Sequence, residues 1–162
     1  AWMIAGLLFA IPEAVSYSLF AEGSHFEDTL RVNVRRSFKF IFLLLIPAII
    51  LLFLLGRWLL LLFGGSYSIN GLMLLWILGI STVFIGVNGV YSSILRVQGR
   101  VKELAIIFGF ITTTVLVGSY FIIPTTGIIG VGYAWLAAQG IVCVYVLFAM
   151  RSSGRVRQVQ RQ

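Results

Sequence analysis

Glu13 is an acid set between Pro12 and Ala14 in an otherwise apolar stretch. In the middle of a membrane helix an acid costs about 2.5–3.5 kcal/mol on insertion scales. Its carboxylate must therefore face a cavity or a partner helix rather than lipid. There it can bind a cation or a proton, contact a substrate or its counter-ion, or simply bond a neighbouring helix. Ser16 and Tyr17 follow three and four residues later and share its helical face. Pro12 brings no backbone donor and marks a candidate hinge. A second polar set, Ser81, Asn88 and Ser92, falls at i, i+7 and i+11, one stripe continued by Arg96. Such a stripe either lines a cavity or hydrogen-bonds a neighbouring helix. Gln139 allows the same two readings, and Thr112 with Ser119 makes a weaker stripe. Glu13, Ser16, Tyr17, Ser81, Asn88, Ser92, Arg96 and Gln139 are thus the candidate lining of a translocation cavity. Gly130, Ala134 and Ala138, spaced by four, make a small-residue face for close helix packing, with no other role.

These readings presuppose helices in lipid, and the composition requires that. Of 162 residues, 60% are hydrophobic and only 10% are charged, with a mean hydropathy of +1.05. Soluble domains carry roughly a quarter charged residues, so too few charges exist here to coat a soluble surface. The net charge of +7 would suggest nucleic acid on a soluble fold, but the basic residues lie between long apolar runs and mark membrane sidedness instead. Nucleic acid is excluded as a partner. One cysteine, Cys143, and one histidine, His25, leave no internal disulfide, no metal cluster and no cofactor site.

Five stretches have the roughly 20 apolar residues that a bilayer-spanning helix needs. They run over about 2–20, 38–63, 72–95, 104–123 and 128–150, the fourth being stopped by Pro124. None alternates as barrel strands would. The fold class expected is an all-α, polytopic transmembrane bundle, with residues 1–150 as the bundle and 151–162 as a basic cytoplasmic tail, disordered past the headgroups. Eleven of the twelve basic residues fall between spans one and two, between spans three and four, or after span five. All of these sit on one side of five antiparallel spans. The remaining one, Arg57, snorkels to the opposite interface or meets an anionic substrate there. The positive-inside rule then places the N-terminus outside and the C-terminus in the cytoplasm, in the cytoplasmic membrane.

The connections add detail. Residues about 24–38 read as an amphipathic helix lying on the cytoplasmic surface. Ser24 and Glu27 make a capping box, Phe26, Leu30, Val34 and Phe38 an apolar face, and Arg31, Arg35, Arg36 and Lys39 a basic side attracted to anionic lipids. Phe63 to Tyr67 and Pro124 to Gly127 read as short external turns. Neither can hold a catalytic domain, and no nucleophile, phosphate-loop or dinucleotide motif occurs, so the chain is not read as an enzyme.

The segment LLWILGISTVFIGVNGVYSSILRVQGRVKELAIIFGF, with its Q-G-R-x-K turn from Gln98 to Lys102, followed by FIIPTTGIIGVGYAWLAAQG, with I-P-x-x-G-I-x-G from Ile123 to Gly130, resembles the C-terminal region of polysaccharide flippases of the MOP/MATE superfamily. IPEAVSYSLFAEGS, RVNVRRSFKF and LLLIPAIILLFLLGRWLLLLFGGSYS are similar to that family's eighth and ninth helices. The resemblance implies helices eight to twelve of a twelve- or fourteen-helix transporter, whose N-terminal half would be a partner missing from this sequence. It further implies transport of a lipid-linked glycan by alternating access, with anionic membrane lipids around it. A drug or metabolite:cation antiporter of the same superfamily, with Glu13 coupling the cation, and a non-catalytic membrane scaffold are the alternatives.

The sidedness is testable. In a Cys143→Ser background, a membrane-impermeant maleimide added to intact cells is expected to label Thr125→Cys and to spare Gln98→Cys until the membrane is opened. The opposite pattern inverts the orientation.

Overall fold

The structure, a computed structural model, describes residues 2–25, 30–61 and 65–159. They form five helices: α1 (Trp2–His25), α2 (Leu30–Leu61), α3 (Gly65–Val97), α4 (Val101–Thr126) and α5 (Ile129–Val159). Each contains an apolar span of 20 to 28 residues, long enough to cross a membrane. Without water to satisfy the backbone, a long apolar run has only the helix in which to pair every N–H and C=O within itself. The expected all-α bundle of five membrane-length helices is what these residues build.

α3 is the central element. α1, α2 and α5 all pack on it, while α4 packs chiefly on α5. Of its span, 56% is buried, against 17% for each of α2 and α4, which therefore form the outer faces. Three apolar clusters surround α3. Leu8 and Leu52 meet Leu74, Leu75 and Leu78; Leu19, Ile41 and Leu45 meet Val90; Ile107, Ile111, Val142 and Val146 meet Val87 and Leu95. The close approach is made by small residues: a Cβ at Gly79 would stand 2.9 Å from Leu52 Cδ2. Pro12 is fully buried, and its Cβ lies 3.6 Å from where a Cβ at Gly86 would be, so it is a packing residue of the α1–α3 contact. The small face of α5 behaves as expected, with Ala134 and Ala138 buried and Ala134 pressed against Gly118 of α4.

Four boundaries differ from the sequence reading. The surface helix expected over about 24–38 is no separate element, because from Leu30 it forms the first turns of α2. Val34 and Phe38 pack against Leu19, Ile41, Leu45 and Val90, so part of the apolar face meets protein instead of lipid. No Gly or Pro interrupts residues 30–46, and extending a helix is easier than nucleating another. The capping box falls on Glu27, outside the described residues. The first external turn does not include Ser66 and Tyr67 as expected. Phe63 and Gly64 lie outside the described residues, while Ser66 and Tyr67 already belong to α3. Pro124 does not stop α4. Its fixed φ suits a helix, and the helix runs to Thr126 before Gly127, at φ 64°, ends it. Thr125 and Thr126 hydroxyls donate to the Ile122 carbonyl at 2.9 and 3.0 Å. The tail, expected to be disordered, continues α5 to Val159.

The turn between α3 and α4 forms as the glycine in Q-G-R requires. Gly99 has φ 69°, which a side chain would strain, and Arg100 N–H reaches back to the Leu95 carbonyl at 2.9 Å while Gly99 N–H reaches Arg96 at 3.1 Å. This is the Schellman pairing that closes a helix end.

A Cβ at Gly130 would lie 2.7 Å from Ile122 Cγ2 and 3.1 Å from its backbone carbonyl carbon, whereas one at Gly140 would meet nothing within 4 Å. Gly130→Ala is therefore expected to destabilise the bundle by about 1–3 kcal/mol. Gly140→Ala should be neutral or stabilising by up to ~1 kcal/mol. Thermal unfolding of both in mild detergent checks the pair.

Candidate functional site

α1, α3 and α5 enclose a half-open cleft of about 270 Å³, whose further wall is Ile107, Phe108 and Ile111 of α4. Seven of the eight residues singled out from the sequence line it. Glu13, Ser16 and Tyr17 come from α1, Asn88, Ser92 and Arg96 from α3, and Gln139 from α5. Ser81 does not. It is fully buried one turn beyond Ile85, the α3 residue lining that end, and its hydroxyl donates to the Leu78 carbonyl of its own helix at 2.7 Å. Thr112 and Ser119 do not line the cleft either.

Helix register explains the convergence. α1 and α3 run parallel, and Gly89 lets them touch: a Cβ there would lie 2.6 Å from Ser16 Oγ. Ser93, one turn on, donates to the Ser16 carbonyl at 2.7 Å and so ties the two helices together. On the other side, Asn88 Nδ2 donates to Gln139 Oε1 at 2.8 Å and to the Gln139 carbonyl at 3.2 Å, tying α3 to α5. Both groups facing Asn88 are acceptors, so the amide nitrogen must turn toward them and the oxygen away. Ser92 donates to the Asn88 carbonyl at 2.8 Å. The polar stripe of α3 thus both bonds a neighbour helix and lines a cavity.

Charge is laid out along the cleft. The guanidinium of Arg96 sits 5.7 Å from the Tyr17 ring centre, a cation–π contact at the basic end of the bundle. Tyr17 OH in turn makes a long hydrogen bond to Glu13 Oε1, at 3.4 Å. Glu13 is exposed and shares the depth of Asn88, because Pro12 beside it abuts Gly86 and Gly89. Arg96 and Glu13 form no ion pair with each other. The ion pair among the described residues is Arg100–Glu103 at 2.6 Å in the α3–α4 turn, and Glu103 also accepts from Tyr145 OH at 3.2 Å. Cys143 is buried in the core, and no group of His, Cys, Asp or Glu among the described residues could hold a metal ion.

Among the described residues, three that line the cleft carry a buried polar side-chain atom with no hydrogen-bond partner: Ser16 Oγ, Asn88 Oδ1 and Trp135 Nε1. Each such atom costs of order 1–3 kcal/mol. Trp135, Phe9 and Ser93 are lining residues the sequence reading missed. Trp135 stacks on Phe9 at 6.4 Å between centroids and meets Trp2 edge-on at 5.4 Å, closing the cleft at the end away from Arg96. A signal for Ser93 exists: it continues the spacing of Gly79 and Gly86 by sevens. Trp135 and Phe9 carry none, because in an apolar helix an aromatic residue facing lipid reads the same as one facing a cleft.

The family model for MatE matches residues 1–121, from α1 into the second half of α4. Searches of curated proteins and of solved structures find no match.

The Asn88–Gln139 bond spans two helices in a membrane bundle, where such pairs are worth about 0.6–1.7 kcal/mol. A double-mutant cycle of Asn88→Ala and Gln139→Ala, read by unfolding in detergent, is expected to return a coupling in that range. A coupling near zero would mean the bond contributes nothing to holding α5 on α3.

Proposed function

The chain belongs to the MatE family, whose members are membrane transporters of the MOP superfamily and not enzymes, and from that premise we propose that it moves lipid-linked oligosaccharide across the cytoplasmic membrane. It does so by alternating access, for the synthesis of cell-surface glycans. The five helices work with the further helices of a twelve- or fourteen-helix transporter, the N-terminus of α1 outside and the C-terminus of α5 in the cytoplasm.

The observation that carries this reading is the arrangement of the cleft. A cation, Arg96, stands at the basic end, where headgroup phosphates lie. Uncharged hydrogen-bonding groups, Asn88, Ser92, Ser16 and Gln139, lie deeper. An anionic phosphate at Arg96 keeps its lipid tail in the bilayer, while the attached glycan enters the polar cleft. Arg35, Arg36 and Lys39 are exposed at the same end and attract anionic lipid headgroups. Glu13, exposed at mid-depth, is the carboxylate that a moving second bundle would cover and uncover. The likeness of the Gln98 to Lys102 turn and of the Ile123 to Gly130 segment to polysaccharide flippases supports the same substrate class.

Expressed from the full gene in cells whose own flippase for the glycan is depleted, the protein should restore glycan export. Arg96→Gln and Glu13→Gln are each expected to lower export at least about tenfold, a loss of roughly 1.4 kcal/mol, with membrane levels unchanged. Lipid-linked glycan should accumulate on the cytoplasmic face. Failure of the full gene to restore export, with resistance to small cationic drugs gained instead, would replace this reading with drug:cation antiport.

A further inference from the structure

Among the described residues, two charged side chains line the cleft, Glu13 on α1 and Arg96 on α3. They are opposite in sign and do not pair. Glu13 lies at the depth of Asn88, and Arg96 stands eight residues further along α3, about 12 Å toward the basic end. That offset alone does not keep them apart. Helical side chains lean toward the N-terminus of their helix, so the long arm of Arg96 leans toward the depth of Glu13. In a partly enclosed cleft their attraction is also screened less than in open water. Tyr17 stands in the way. It lies one turn from Glu13 on the same face and donates its hydroxyl to Glu13 Oε1 at 3.4 Å. The guanidinium of Arg96 lies 5.7 Å from the centre of its ring. One side chain thus answers both signs: its electron-rich face meets the cation, and its hydroxyl hydrogen meets the carboxylate. A phenylalanine could do only the first and a serine only the second.

We propose that Tyr17 is a spacer between these two charges: it holds Arg96 and Glu13 apart and so leaves the guanidinium free to receive an anion. The proposal rests on the transport reading above in taking Arg96 as the anion-binding residue, and it adds what keeps that residue from being neutralised from within. An Arg–carboxylate pair commonly forms two parallel hydrogen bonds, which would commit the N–H groups of Arg96 to Glu13. An arriving phosphate would then have to displace a carboxylate tethered to the same bundle. A guanidinium held by a ring spends none of its donors on an acid. The α3–α4 turn supplies the contrast: Arg100 and Glu103, with no ring between them, do pair, at 2.6 Å. Tyr17 is itself exposed and Arg96 only half-buried, so the spacer can be removed without opening the core.

The test uses the purified full-length protein in lipid nanodiscs, titrated with inorganic pyrophosphate and read by calorimetry. Arg96→Gln should weaken binding at least about tenfold, which assigns the signal to Arg96. Tyr17→Ala is expected to weaken it about fivefold, because the anion then competes with Glu13 for the same cation. Tyr17→Phe keeps the ring between the charges and should weaken binding less than Tyr17→Ala does. Adding Glu13→Gln is decisive. It should tighten binding by the Tyr17→Ala variant at least about threefold more than it tightens binding by the parent, a coupling that exists only if the two charges meet once the ring is gone. A loss in Tyr17→Ala that Glu13→Gln does not relieve would mean that Tyr17 merely steadies Arg96 by contact, and overturns the spacer. So does binding unchanged in Tyr17→Ala. In both cases pyrophosphate still binds through Arg96, and the transport reading stands. If pyrophosphate binding and glycan export are both indifferent to Arg96→Gln, no anion is received there, and the transport reading fails together with the spacer.

Discussion

Three helices have to reach α3 at close range, and most of the bundle depends on that approach. Between helices in lipid there is no hydrophobic drive, since the surrounding tails are as apolar as leucine. Association has to come from dispersion over short distances and from a few interhelical hydrogen bonds. α3 supplies both. Gly79, Gly86 and Gly89 let Leu52, Ile41 and Ser16 come to van der Waals range of its backbone. Ser93 then adds one bond to α1, and Asn88 two to α5. The glycines would weaken a lone helix by up to ~1 kcal/mol each. Here they are retained inside a helix because lipid leaves the backbone no other way to pair its groups.

The cleft is a consequence of that packing. α1 and α5 both lie against α3, and along one stretch they part enough to leave polar atoms on all three helices facing a shared space. The aromatic contact of Trp2, Phe9 and Trp135 joins α1 to α5 at one end. At the other, Arg96 rests on Tyr17. A positive group at the headgroup level and neutral hydrogen-bonding groups at mid-depth make a gradient of polarity along the membrane normal. An amphiphile with a phosphate between its lipid and its polar head has the same order of parts. This match is the basis of the proposed transport of lipid-linked glycan.

The outer faces obey a different rule. α2 and α4 present Leu43, Leu54, Ile106, Leu116 and Phe121 outward. In water such a surface would drive aggregation, and in a bilayer it is the solvent-matched surface. This explains why most of the hydrophobic content of the chain is spent outside its core, and why the polar residues that are buried carry so much of the specificity.

The sequence by itself determined the number of membrane-length helices, their antiparallel order and the grouping of basic residues at one end. Each follows from local composition: run length against bilayer thickness, and charge against the gaps between runs. The spacing of Glu13, Ser16 and Tyr17, and of Asn88, Ser92 and Arg96, was legible for the same reason, because helical periodicity turns sequence intervals into faces. Tertiary structure decided which faces meet. Ser81 has the spacing of the stripe but sits one turn too far along, beyond Ile85, and is buried against its own backbone. Trp135 joined the site only because α5 lies parallel to α3 with Gln139 opposite Asn88. Val34 and Phe38 left the membrane surface because Leu19 and Val90 were within reach. In each case the deciding quantity was the distance between helices far apart in sequence, which no local pattern encodes.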